Sequence, residues 1–144
     1  MSRVSRVLGV DLGGVRIGLA ASDPSGVLAS PLRVLRRGGD HAADHAGIMA
    51  AAREIDATRI VVGLPLSLDG KLGPAARAVV EEVDELRSVA RPLGIEVDTY
   101  DERFSTVTAA RGLREANVGK KKRRDKIDAA AATVILQSWL EAQQ

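Results

Sequence analysis

The sequence contains no cysteine. Disulfides, thiolate zinc sites and cysteine nucleophiles are therefore excluded. Aromatic residues are nearly as scarce, with Tyr100, Phe104 and Trp139 the only three. The core must be built from Ala, Val, Leu and Ile, and stacking platforms for single-stranded bases lack the residues to make them. No apolar run reaches the roughly 20 residues of a membrane span, because Gly or charge interrupts each within a few positions. The N-terminal Met-Ser-Arg-Val-Ser-Arg leads straight into a strand-like run, without the apolar stretch and cleavage site of a signal peptide. A cytoplasmic protein with no membrane partner is expected. Charge of one sign is also not in excess: the formal net charge is +2, although the pI is about 9.3.

What is present suits one domain over residues 1–144. A domain of this size buries roughly 68–70% of its unfolded surface, and 45% hydrophobic residues suffice to fill a core. The charge distribution says more than its total. Lys120, Lys121, Lys122, Arg123 and Arg124 run consecutively, and Arg33, Arg36 and Arg37 form a second cluster. A local basic stripe on a nearly neutral protein suits a phosphate backbone; a solvated loop explains a single run equally well.

Arg6–Asp11 reads as a short apolar strand broken by Leu12-Gly13-Gly14. Arg16–Ser22 resumes a strand, Asp23–Gly26 is a turn, and Val27–Arg36 is a third strand in which Pro31 marks an edge or a bulge. Tight turns require these three to pair antiparallel. Asp40 is placed to cap an Ala-rich helix over His41–Ile55. Arg59–Leu64 is a near-continuous apolar run, as in a strand covered on both faces. After a loop over Pro65–Gly73, Pro74–Val89 is an amphipathic helix with Ala75, Val79, Val83 and Leu86 on one side. Ile95–Tyr100 alternates as a strand. Ser105 or Thr106 caps a helix to about Asn117, a basic loop follows, and Ile127–Ala142 is the last helix. The order β-β-β-α-β-α-β-α-α predicts an α/β fold: a mixed five-stranded sheet, three strands antiparallel and the later ones parallel, with helices on both faces.

Three sets of carboxylates stand where such a sheet ends its elements. Asp11 closes the first strand at a sharp turn, where a rigid central strand would fix its oxygens; an Asx-turn about Gly13 accounts for Asp11 alone more simply. Asp101 and Glu102 end the last strand, and neighbouring residues of an extended chain point opposite ways. Asp125 and Asp128 are spaced i,i+3 at the start of the last helix, where acids are favoured by the helix dipole in any case. The small residues Ala129–Ala132 would let that helix approach the sheet and bring Asp128 toward Asp11. Acids from separate elements make an oxygen-only site that prefers Mg²⁺ or Mn²⁺. A pair of such ions hydrolyses phosphodiesters without a covalent nucleophile.

Taken together, four stretches resemble the YqgF/RuvX family over essentially the whole chain: Gly9–Asp23, Val62–Pro65, Asp101–Thr106, and Ile127–Ala131 with Ile135–Leu140. The resemblance implies a ribonuclease H-like fold and a nuclease that trims the 5′ side of precursor 16S rRNA. A likeness to the junction-resolving RuvC nucleases implies, as the alternative, Holliday junction resolution on branched DNA. The implied catalytic and metal-binding acids are Asp11, Glu102 and Asp128. Asp125 is a fourth candidate ligand, because the RuvC-like pattern takes two acids from the last helix.

Two other functions compete. Gly9-Val-Asp-Leu-Gly-Gly also resembles the first phosphate loop of the actin and sugar-kinase superfamily. That fold needs two such domains around ATP, and the chain supplies one, with no Walker-type loop. A catalytically silent nucleic-acid-binding module would keep Lys120–Arg124 and need no acids. Arg16 follows the Gly13-Gly14 turn and is placed either to reach a phosphate or to pair with a carboxylate. His41 and His45 have the i,i+4 spacing of zinc ligands, but no third ligand is evident, so exposed helix histidines are expected. Trp139, beside Leu136 and Leu140, reads as a packing residue. A monomer suits trimming of one strand, and a homodimer suits cutting both strands of a junction.

Overall fold

The computed structural model describes residues 6–104 and 121–144, with side chains described over 6–103 and 129–144. The helix expected after Ser105 or Thr106, and Lys120, lie outside the described residues. The strands are β1 (Arg6–Leu12), β2 (Arg16–Ser22), β3 (Ala29–Arg36), β4 (Ala57–Leu64) and β5 (Glu96–Asp101). The α-helices are α1 (His41–Glu54), α2 (Pro74–Ala90) and α3 (Lys121–Ala142), and Arg91–Leu93 and Glu102–Phe104 form short 3₁₀ turns.

The five strands form one sheet in the order β3-β2-β1-β4-β5. β1 pairs antiparallel with β2, and β2 with β3, while β4 runs parallel to β1 and β5 parallel to β4. The mixed sheet expected from the element order is therefore present. Pro31 lies on the edge strand, beside a register shift at Leu19/Ala20. Both positions tolerate a missing N–H.

Three departures from the sequence reading have a physical origin in the residues involved. β3 begins at Ala29 rather than Val27, because the Asp23 carboxylate accepts the N–H groups of Val27 and Leu28 at 2.8 and 2.9 Å. Those N–H groups are thereby withdrawn from the ladder. Ala75 is exposed and Ala76 buried, which turns the apolar stripe of α2 by one residue. α3 begins at Lys121, so Lys121–Arg124 are helical rather than a loop. Lys and Arg are good helix formers, and nothing between Lys121 and Ile127 breaks a helix. Asp40 caps α1 as expected, accepting the Ala42 N–H at 2.9 Å.

Alternation along the strands divides the core in two. Leu8, Val10, Ile17, Leu19, Ile60, Val62 and Val97 pack with α1 and α2. Val7, Ala20 and Val61 pack on the opposite face with Ala131, Ala132, Ile135, Leu136 and Leu140 of α3. Trp139 joins this second cluster, with the Arg59 guanidinium 5.8 Å from its ring centroid. The α3 contact with β1 is very close. A Cβ on Gly9 would lie 2.7 Å from the Leu136 Cβ and 3.0 Å from the Ala132 carbonyl oxygen. Only a residue without a side chain admits the helix at this depth.

Candidate active site

Asp11 is the sixth residue of β1 and is 2% exposed. Side chains alternate along a strand, so Asp11 shares the α3 face with Val7 and Gly9. Its register partner in β2 is Gly18. On the other side Val10 pairs with Val62, so the next step sets Asp11 beside Gly63 of β4. The carboxylate-bearing position is thus flanked by glycine on both neighbouring strands. The tight turn after it is closed by the main chain, the Gly13 N–H donating to the Asp11 carbonyl at 3.1 Å.

Glu102 arrives in the space above Gly63. Its residue is 5% exposed, and a Cβ on Gly63 would lie 2.8 Å from Glu102 Oε2 and 2.5 Å from Ile135 Cδ1. Of the two adjacent acids, Glu102 is the one buried beside the Asp11 strand. Asp101 is held by Arg103 instead, which donates from Nε at 3.1 and 3.0 Å and from a terminal nitrogen at 2.6 Å. That guanidinium keeps the Asp101 carboxyl below the usual carboxylate range.

α3 runs antiparallel to β1, since Trp139 near its end meets Arg59 at the start of β4, and Ala132 lies over Gly9. From that contact Asp11 lies two residues onward, about 6.7 Å along the strand. Asp128 lies four residues back, about 6 Å along the helix in the same direction. The backbone therefore carries Asp11 and the Asp128 position to the same end of the sheet. Asp125 lies three residues earlier in α3, and Lys121–Arg124 form its opening turn. Arg16 is the first residue of β2, partly buried, with Arg36 as its register partner.

Two members of the second basic cluster, Arg33 and Arg37, are paired with carboxylates of the chain. Arg33 pairs with Glu54. Arg37 turns inward, its Nε donating to the Gly13 carbonyl at 2.7 Å and its terminal nitrogens to Glu82 at 2.8 and 2.9 Å. It also pairs with Asp44 at 3.2 Å, and its main-chain N–H donates to the Val15 carbonyl at 2.9 Å. Burial raises the Glu82 carboxyl, but hydrogen bonds from Arg37 and His45 outweigh it and leave the group below its usual value. Arg37 therefore ties the turn after Asp11 to both α1 and α2. Sequence reasoning missed this role because Arg37 stands in a run of arginines that reads as surface. The one available signal was the poor fit of a tight Arg-Gly-Gly turn to a continuous phosphate-binding stripe.

His45 also departs from expectation. It is 2% exposed, with Nε2 at 2.8 Å from Glu82 Oε2, whereas His41 is exposed as expected. A cavity of about 850 Å³ opens beside these groups, lined by the Asp11–Val15 turn, Arg37, His41, Asp44 and several residues of α2. Among the described residues no helix is long and apolar enough to cross a membrane.

Comparison with known proteins agrees with this geometry. The family model described as "RuvX: Holliday junction resolvase" matches residues 5–142. A Kineococcus radiotolerans protein named "Putative pre-16S rRNA nuclease" is 50% identical over 138 residues, covering 95% of this chain and 72% of the relative. A Myxococcus xanthus protein of the same name is 44% identical over 137 residues, covering 95% and 88%. In structure the chain is similar to T. thermophilus RuvC solved with a Holliday junction substrate, with a TM-score of 0.62 and 18% identity, over 96% of this chain and 95% of that one. It is also similar to the yeast mitochondrial Holliday junction resolvase, with a TM-score of 0.58 and 12% identity, over 99% and 80%. The fold is thus that of the RuvC-type resolvases, the ribonuclease H-like sheet expected from the sequence.

Proposed function

The chain belongs to the RuvX family, and on that premise we propose that it is a divalent-metal-dependent nuclease that processes the 5′ end of pre-16S rRNA. The observation that carries this reading is the burial of Glu102 over Gly63, one strand away from Asp11. Two buried carboxylates, one on β1 and one in the turn after β5, offer oxygen donors only. Such a set fits a hard cation, Mg²⁺ or Mn²⁺, better than an ion that prefers nitrogen or sulfur. Asp11, Glu102 and Asp128 would hold two ions, with Asp125 as a fourth ligand. Bound there, the ions supply a lowered pKa to an attacking water and charge stabilisation to the leaving oxygen.

The remaining work falls to the chain itself. The position of Asp11 on a central strand, anchored through Gly13 by Arg37, limits how far its oxygens can move. Lys120–Arg124 hold substrate phosphates, and Lys121–Arg124 lie within two turns of Asp128 along α3. Arg16 serves a further phosphate beside the Asp11 turn. Structured RNA is recognised by shape and 2′-hydroxyl contacts, which need no aromatic platform.

A second substrate, branched DNA, is favoured by the description of the matching family as a Holliday junction resolvase. Cleavage of precursor rRNA and of a four-way junction, each with Mg²⁺, separates the two. Precursor cleavage is expected, and junction cutting without any precursor cutting overturns the RNA assignment. Asp11→Asn is expected to abolish cleavage while binding survives or tightens, because a negative charge leaves a phosphate site. Unchanged cleavage by that variant refutes the metal assignment.

A further inference from the structure

The histidine pair of α1 lacked a third ligand in the sequence, and the fold supplies one from 37 positions away. His41 and His45 lie one turn apart on α1, with ring centroids separated by 5.6 Å. Glu82 of α2 faces both. Its Oε2 is 2.8 Å from His45 Nε2, and its Oε1 is 4.0 Å from His41 Nε2. One ligand atom from each of the three residues falls within 4.8 Å of the others. We propose that His41, His45 and Glu82 form a second metal site, distinct in chemistry from the acidic one, that takes zinc.

Four observations support this assignment. First, the donors are two imidazoles and one carboxylate, a set that suits zinc and poorly suits magnesium. Second, zinc–nitrogen bonds of about 2.0–2.1 Å set tetrahedral ligands about 3.4 Å apart. The His45–Glu82 separation of 2.8 Å lies below that value and no two of the three ligand atoms are more than 4.8 Å apart, so the side chains close by about 1.4 Å at most around an ion. Third, the outer partner of a zinc histidine is already present. His41 Nδ1 is 2.7 Å from Glu85 Oε2, which fixes the ring and directs Nε2 toward Glu82.

Fourth, the charge balance favours a dication. Glu82 and Asp44 pair with the guanidinium of Arg37, and Glu85 pairs with His41. With neutral imidazoles, three carboxylates face one cation. Glu82 keeps room for the ion despite its two bonds from Arg37, because each carboxylate oxygen offers two lone pairs. His41 and Glu82 both line the 850 Å³ cavity, so the fourth coordination position opens to water or a small anion. Occupied, the site cross-links α1 to α2, the two helices from which Arg37 holds the turn after Asp11.

Cobalt titrated into the full chain in magnesium buffer tests the proposal, because tetrahedral Co²⁺ absorbs in the visible and magnesium does not. The wild type is expected to develop these bands to one equivalent, and zinc is expected to abolish them. Asp11→Asn must keep the bands, whereas His41→Ala, at an exposed position that leaves the core intact, must lose them. Glu85→Gln is expected to weaken cobalt binding by about 10–100-fold. Zinc should raise the Tm of the wild type and not that of His41→Ala. Three outcomes each overturn the site: no bands in the wild type, bands unchanged in His41→Ala, or bands lost in Asp11→Asn, which would place the ion among the acids.

Discussion

Gly63 presents a hydrogen where any other residue would place a carbon among Glu102 Oε2 and Ile135 Cδ1, at 2.8 and 2.5 Å. Ile135 belongs to the helix that carries Asp128, so one added methyl presses both on Glu102 and on that helix. Gly63→Ala is expected to cost about 1–3 kcal/mol in urea denaturation, as overpacking does, and to lower cleavage by at least about tenfold. Gly47→Ala is the control, since its Cβ would meet only the flexible end of Leu35 at 3.1 Å. Normal cleavage by Gly63→Ala would show that the seat of Glu102 is irrelevant to the reaction. The glycine was visible in the sequence, inside an apolar strand where glycine signals a close approach. Its occupant was not, because Glu102 comes from the turn after β5, far along the sequence. The same limit hid the His45–Glu82 contact. His45 and Glu82 each look like polar positions on their own helices, and only the packing of α1 against α2 buries them together. Asp11 alone was explained more simply by an Asx-turn, and only Glu102 and Asp128, at the ends of other elements, made it a candidate in the sequence.

Among the elements, the β2–β3 connection depends on one ionised group. Asp23 is held well below the ordinary carboxylate value of 3.8 by the Ser25 hydroxyl and by the N–H groups of Leu28 and Val27. A depressed folded value means that its stabilisation is complete above pH 3.8 and is lost as the pH falls below it. Asp23→Asn should therefore be less stable than the wild type by a margin that is constant above about pH 5 and shrinks in acid. A margin independent of pH in urea melts would exclude the charge as its origin. The strands and α2 were readable from apolar periodicity. The start of α3 was not, because Lys121–Arg124 carry no apolar residue whose spacing could reveal a helix. Charge alone could not tell a helical basic turn from a loop. Arg37 was misassigned for a related reason: a guanidinium looks the same in sequence whether it faces a phosphate or a buried carboxylate.

Across the whole molecule, the sheet separates two apolar clusters of unequal size. The larger joins four strands to α1 and α2, while the smaller is almost entirely the contact of α3 with Val7, Ala20 and Val61. Opening free energies follow such cooperative units, so α3 should leave the sheet at less cost than the sheet needs to come apart. Hydrogen exchange is expected to be faster for amides of residues 129–142 than for those of Leu8, Val10, Ile60 and Val62. Equal protection throughout would mean one cooperative unit. The close seating of α3 on Gly9 then has an operational side. The position bearing Asp128 travels with the less firmly held layer, so if Asp128 is the third acid as proposed, warming would remove it, and cleavage with it, while the sheet and both other helices still give a folded signal. Heat inactivation and melting would be two separate events.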